Sequence, residues 1–92
     1  MAEYLLETYV ARNGAELVPA CAERARRAAE QLTWQGTPVR FLRTVFVPED
    51  ETCFYLYEAA SEEVVREAAG RAELRVERVV RAVTPSGEEA PM

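Results

Sequence analysis

The pattern of apolar and polar positions along the chain predicts four strands and two helices. Apolar residues at spacings of three and four, typical of an amphipathic helix, run from Leu17 to Leu32 and again from Val64 to Ala69. Segments rich in β-branched and aromatic residues predict strands at Glu3–Val10, Val39–Val47, Thr52–Glu58 and Val79–Thr84. The predicted order of elements is therefore β-α-β-β-α-β.

Turn and capping residues separate these elements and indicate how they connect. Asn13-Gly14 and Gly36-Thr37-Pro38 are turn signals, and only Pro48 to Glu51 separates the second strand from the third, which predicts an antiparallel hairpin. Ser61 is expected to cap the second helix and Gly70 to end it. Two β-α-β halves joined by a hairpin predict an α+β, ferredoxin-like sandwich, with a four-stranded antiparallel sheet and two helices on one face. The alternative is an open α+β meander with another strand order.

The length of 92 residues predicts a single domain over residues 1–84, followed by a disordered C-terminal tail over 85–92. A chain this short buries only ~60–65% of the surface that its unfolded form exposes, so its own core is modest. Dimerisation would add buried surface to it.

Because side chains alternate along a strand, the strand residues divide into two predicted faces. The mostly apolar set, expected under the helices, is Tyr4, Leu6, Thr8, Val10, Leu42, Thr44, Phe46, Phe54, Leu56, Val80 and Ala82. The mixed set is Leu5, Glu7, Tyr9, Phe41, Arg43, Val45, Cys53, Tyr55, Tyr57, Val79, Arg81 and Val83. A mixed face of this kind is expected to meet a second copy across a walled cavity, or to form a shallow pocket that a ligand completes. An ordinary solvated sheet face is the remaining alternative.

Six residues of the mixed face form the predicted ligand-binding site: Glu7, Tyr9, Arg43, Cys53, Tyr55 and Tyr57. Glu7 and Arg43 are candidates for an ion pair, or Glu7 is a ligand or general base whose pKa is raised by burial. The tyrosine hydroxyls are hydrogen-bond donors for an anionic or carbonyl ligand. Cys53 is either a thiolate ligand or an inert packing residue.

The net charge indicates which partners the protein is expected to bind, and the cysteines indicate the redox state of its compartment. The net charge of −5 argues against non-specific nucleic-acid binding, which needs a basic surface. No apolar run reaches the ~18–20 residues that span a bilayer and no signal peptide precedes the first strand, so we expect a cytoplasmic protein without a membrane partner. Cys21 and Cys53 lie on different predicted elements and are expected to be reduced.

The chain contains no His, which excludes nucleophile–His catalysis and the common zinc motifs. GxGxxG and P-loop motifs are also absent from the sequence. A metal site would have to use carboxylates, the two Cys thiols, Tyr or backbone, and Glu49-Asp50-Glu51 is a candidate for weak binding of a hard cation. Two alternatives to a binding protein stay open. One is a small cofactor-independent enzyme, isomerase- or cyclase-like, with Glu7 as acid/base; the other is an interaction module whose sheet face is filled by its partner chain.

The hairpin block VPEDETCFYLYEA, the SEEVVREAA helix after it and the opening EYLLETYV resemble a family of small bacterial proteins. That family is known as a domain of unknown function, or as nickel-binding proteins, and the resemblance runs from about Glu3 to Val83. It implies a ferredoxin-like fold, a homodimer formed through the sheets, and nickel as the metal. The metal-binding branch tends to carry His on the second strand, where this sequence has Arg43, a cation that repels metal ions and attracts anions. The predicted function is a small dimeric binding protein whose sheet-face cavity takes a small ligand or a metal ion.

Overall fold

The computed structural model describes residues 1–83 and residue 85, and its elements follow the predicted order. They are β1 (Ala2–Tyr9), α1 (Val18–Trp34), β2 (Val39–Val47), β3 (Thr52–Ala59), α2 (Glu62–Arg71) and β4 (Arg78–Ala82). Short 3-10 turns at Ala15–Leu17 and Pro48–Asp50 precede α1 and β3. Apart from residue 85, the predicted tail over 85–92 lies outside the described residues.

The four strands form one sheet in the order β2-β3-β1-β4, and all neighbouring strands are antiparallel. The two central strands, β1 and β3, pair along their full lengths, from Ala2 opposite Ala59 to Tyr9 opposite Thr52. This order, with β2 and β4 at the edges, is that of the ferredoxin-like sandwich. The predicted fold class is therefore confirmed.

Helix α1 packs on the sheet through the alanine stripe that its sequence predicts. Ala25, Ala28, Ala29 and Leu32 are buried, and the small alanine side chains let the helix backbone approach the strands closely. Pro19 lies in the first turn, where its missing N–H has no intrahelical partner to lose.

Helix α2 begins as predicted and ends one residue later than predicted. The Val64 backbone N–H donates to the Ser61 Oγ at 3.4 Å, so Ser61 is the N-cap. Gly70 lies within the helix, and the predicted stop there is wrong. The left-handed residue that closes the helix is Glu73 (φ 62°), which lets the Leu74 N–H bond to the carbonyl oxygen of Ala69 at 2.9 Å.

The core lies between the helices and one face of the sheet. Its largest fully buried side chains from the sheet are those of Tyr55, Tyr57 and Leu6, which pack with Leu32 of α1 and Val65 of α2. Within residues 1–83, both helices cover one side of the sheet, and the other side carries none.

Candidate functional site

The helix-free side of the sheet, which we call the open face, is defined by the strand register. Residues directly opposite each other on neighbouring strands point to the same side, so the pairing identifies the members of each face. The open face consists of Glu3, Leu5, Glu7, Tyr9, Arg40, Arg43, Val45, Val47, Thr52, Phe54, Leu56, Glu58, Arg78, Val80 and Ala82.

The centre of the open face is apolar. One row across the sheet runs Arg43, Leu56, Leu5, Val80, and the next runs Val45, Phe54, Glu7, Arg78. The five apolar side chains of these two rows are adjacent to one another, and each remains partly accessible to solvent. Val45, on the edge strand, is 48% exposed. A contiguous apolar surface of this kind is typical of an interaction site.

Charged side chains lie at the margins of this apolar centre. The Glu7 carboxylate is 4.0 Å from the Arg78 guanidinium, and at the opposite corner Arg40 pairs with Glu58 at 3.2 Å. The predicted Glu7–Arg43 ion pair is wrong, because strand β3 separates the strands that carry these two residues. Arg43 is exposed and has no ion-pair or hydrogen-bond partner among residues 1–83 and 85.

Three of the six predicted site residues lie on the open face or at its margin. Glu7 and Arg43 are on this face, as predicted. Tyr9 lies at the end of β1 on the same face, 59% exposed, and its hydroxyl donates to a Glu51 carboxylate oxygen at 3.4 Å. The ligand-binding role of these three residues stays a prediction, as does the hypothesis that Glu7 acts as a catalytic acid/base.

The predicted placement of Cys53, Tyr55 and Tyr57 on the helix-free side is wrong. Their partners across β1 are Thr8, Leu6 and Tyr4, which face the helices, so these three residues also face the helices and are buried. They therefore lie on the opposite side of the sheet from Glu7 and Arg43. Their role as ligand-binding residues stays a prediction.

Burial changes the chemistry of the two tyrosines. Desolvation raises the pKa of the Tyr57 hydroxyl well above its usual range, since the interior disfavours the phenolate. Desolvation also raises the pKa of Tyr55, followed by the effect of the Cys53 and Cys21 thiols. The Tyr57 hydroxyl has no hydrogen-bond partner within the described part of the chain. Both hydroxyls therefore stay neutral over the physiological pH range.

Sequence reasoning did not select the apolar members of the open face or Arg78 as site residues. The available signal was Glu58, because a charged residue in β3 favours the solvent side and therefore places Leu56 and Phe54 on that side with it. Arg78 was missed because the predicted last strand began at Val79, whereas β4 begins at Arg78 and pairs it with Glu7.

An acidic cleft lies beyond the end of the open face, next to the β2–β3 connection. It has a volume of about 300 Å³ and is lined by Glu7, Thr8, Tyr9, Asp50, Glu51, Thr52 and Glu77. The Glu51 carboxylate already accepts hydrogen bonds from the Tyr9 hydroxyl and, at 3.0 Å, from the Arg12 backbone N–H. In the described residues, no three His, Cys, Asp or Glu side chains come together as a metal site. The same residues contain no helix that is long and apolar enough to cross a membrane.

Comparison with known proteins gives one family and one solved structure. The family described as "Nickel responsive protein SCO4226-like" matches residues 9–81. The crystal structure of SCO4226 from Streptomyces coelicolor A3(2) is similar at a TM-score of 0.68 and 16% sequence identity, over 92% of this chain and 100% of that one. At this identity the structural likeness supports the fold alone. No curated protein matches the chain.

Proposed function

For this chain, a member of the SCO4226-like family of nickel responsive proteins, we propose the function of a homodimeric small-ligand-binding protein. Two copies face each other through their open faces, and Arg43 binds an anionic group of the ligand between them. The observation that carries the proposal is the contiguous apolar centre around Leu56, with Arg43 beside it as a cation that has no partner in the described part of the chain.

The energetic balance favours covering this face. Full burial of an apolar side chain contributes about 1.5–3 kcal/mol, so five partly buried side chains from each copy would contribute on the order of 10 kcal/mol on pairing. Association itself costs about 4–15 kcal/mol. Because the two quantities are similar, the polar margins decide the stability of the dimer. In a two-fold dimer both copies contribute the same surface, so each polar contact at the margin of the open face occurs twice.

The charge at Arg43 favours an anionic ligand over a metal cation. A guanidinium group offers paired N–H donors that match a carboxylate or phosphate, whereas it repels a metal ion. The family name points to nickel, but nickel sites in proteins favour imidazole and this chain has no His. A small carboxylic acid therefore fits Arg43 better than a nickel ion does.

Titration calorimetry tests the ligand with three proteins: the wild type, Arg43→Ala and the control Arg75→Ala, which removes an exposed arginine of the α2–β4 connection. Each is titrated with Ni²⁺ and with a panel of small carboxylic acids. We expect at least one acid to bind the wild type and Arg75→Ala equally. We expect Arg43→Ala to bind it about 10- to 100-fold more weakly, since a charge-assisted hydrogen bond contributes about 1.5–3 kcal/mol.

A second outcome of the calorimetry would contradict the proposal. If neither the acids nor Ni²⁺ bind, and Arg43→Ala matches the wild type in stability and in assembly, the proposed binding function is refuted.

A further inference from the structure

Trp34, the only tryptophan of the chain, is the last residue of α1 and is 91% exposed. The buried stripe of α1 that packs on the sheet ends at Leu32, so the indole ring lies outside the core. Large aromatic side chains are usually buried, and an exposed tryptophan is typical of binding surfaces. The position of Trp34 is therefore explained better by a ligand than by packing within the fold.

An open cleft of about 630 Å³ lies along the solvent side of α1, at the end of the helix that carries Trp34. We call it the Trp34 cleft, and it is lined by Arg27, Glu30, Gln31, Trp34 and Gln35. These residues recur at spacings of three and four, so they share one face of the helix. The volume is within the range of about 300–1,000 Å³ that small-molecule sites occupy.

The two charged residues of the Trp34 cleft already have partners along α1. The Arg27 Nε donates to a Glu23 carboxylate oxygen at 3.1 Å, and the Glu30 carboxylate accepts from the Arg26 guanidinium. The lining therefore carries no net charge, and an ionic ligand would have to compete with these ion pairs. The net charge of −5 on the chain further disfavours an anion. The charge balance of the cleft favours a neutral ligand.

Two amide side chains supply the hydrogen-bonding groups of the cleft. The Gln35 Oε1 accepts from the Arg71 guanidinium at 2.8 Å, which holds this amide in place. The Gln31 amide has no hydrogen-bond partner among residues 1–83 and 85. An amide presents a donor and an acceptor side by side, the arrangement that pairs with the edge of an adenine base. The cleft therefore combines an aromatic face with a matching polar edge.

We propose that the Trp34 cleft binds a neutral purine, as the free base or as a nucleoside. The purine ring stacks on the indole of Trp34, and its polar edge forms hydrogen bonds with the Gln31 amide. Stacking favours a purine over a sugar ring, because a sugar has hydroxyl groups for the amides but no π system for the indole. A nucleoside carries no phosphate, so the negative charge of the chain does not oppose its binding.

The Trp34 cleft is separate from the open face. It lies on the solvent side of α1, whereas Arg43 lies on the side of the sheet that carries no helix within residues 1–83. Purine binding therefore requires neither Arg43 nor the dimer, and a negative result for one proposal leaves the other standing.

The test is a titration of the full-length protein with adenosine, followed by the fluorescence of Trp34 and by the NMR signal of its indole N–H. Since the chain has one tryptophan, both signals report on the cleft alone. We expect both to change and to saturate together, with a Kd on the order of 1 mM for one stacked base and one amide contact. Uridine is expected to bind more weakly because its ring is smaller, adenosine monophosphate no more tightly than adenosine, and methyl glucoside not at all.

Four variants are titrated in the same way, with binding followed through the NMR signals of adenosine. We expect Trp34→Ala to bind about 5- to 100-fold more weakly and Gln31→Ala about 5-fold more weakly, since they remove the stacking face and the amide. Trp34→Phe keeps an aromatic ring and is expected to lie between Trp34→Ala and the wild type. The control is Leu17→Ala, which shortens another exposed side chain at the other end of α1 and is expected to bind as the wild type does. All three substituted side chains are exposed, so each variant is expected to fold.

The assignment of the cleft is overturned if adenosine produces no saturable change in the wild type, or if Trp34→Ala binds adenosine as the wild type does. Tighter binding of adenosine monophosphate than of adenosine would overturn the neutral class of ligand. Binding of methyl glucoside equal to that of adenosine would overturn the purine.

Discussion

Arg43 lies directly opposite Leu56, while Phe41, two residues earlier on the same strand, lies opposite Tyr57, the immediate neighbour of Leu56. Strand β2 therefore has one extra residue between these pairs, a β-bulge at Leu42. The bulge lets the partly buried Phe41 pack against the core, with its ring centroid 6.0 Å from that of Tyr55 and 5.7 Å from that of Tyr57. The same bulge keeps Arg43 on the open face beside the apolar centre.

The Tyr57 hydroxyl predicts a stabilising substitution. It is fully buried and lacks a hydrogen-bond partner in the described residues, so the folded state bears its desolvation cost. Tyr57→Phe keeps the ring and its contact with Phe41. We expect the free energy of unfolding, measured in urea, to rise by about 1–3 kcal/mol.

The matched control for this substitution is Tyr55→Phe, which removes the hydroxyl of the other buried tyrosine of β3, one that is not among the buried side-chain atoms without a hydrogen-bond partner. We expect this variant to gain less stability than Tyr57→Phe, because it removes no unsatisfied buried hydroxyl. Equal changes in the free energy of unfolding of the two variants would contradict the account of the buried Tyr57 hydroxyl.

The same tyrosines predict a loss of stability in alkaline solution. Burial raises the pKa of Tyr57 in the folded protein above its unfolded value of about 10, so ionisation of Tyr57 costs no stability below pH ~10. Above that pH the unfolded chain loses a proton that the folded chain keeps, and stability falls until the folded pKa is passed. The chain has no Lys, so lysine titration does not mask the effect.

Urea unfolding at several pH values between about 8 and 11 measures this slope. We expect Tyr57→Phe to reduce the steepness above pH ~10 by about 1.4 kcal/mol per pH unit, the value for one proton. A slope that is unchanged in Tyr57→Phe would show that Tyr57 ionises alike in the folded and unfolded states.

The elements and their order could be predicted from the sequence because their signals are local. The helical stripe of α1 and the hairpin connection at Pro48–Asp50 both depend on residues close together in the chain. The bounds of β2 were predicted as they occur. Helix α2 was less predictable at its end, because Glu73 rather than Gly70 adopts the left-handed conformation.

The faces of the strands were harder to predict because they depend on register. In β3 both alternating sets are apolar, and only Glu58 distinguishes them, so the aromatic Tyr55 and Tyr57 were assigned to the wrong side. In β2 the bulge at Leu42 reverses the alternation, and no Gly marks it in the sequence. The sequence therefore placed Glu7 and Arg43 on the correct face of the sheet but not their apolar neighbours Phe54 and Leu56.

The central claim, that the open face pairs with a second copy, is tested most directly by the molar mass in solution. Sedimentation equilibrium of the wild type and of Leu56→Glu compares the intact face with one that carries a charge at its centre. The control is Leu17→Glu, which places the same charge at a leucine that is 60% exposed outside the open face. We expect a dimer for the wild type and for Leu17→Glu, and a folded monomer for Leu56→Glu. A wild type with the mass of one chain at all concentrations, or a Leu56→Glu variant that remains a dimer, would contradict the claim.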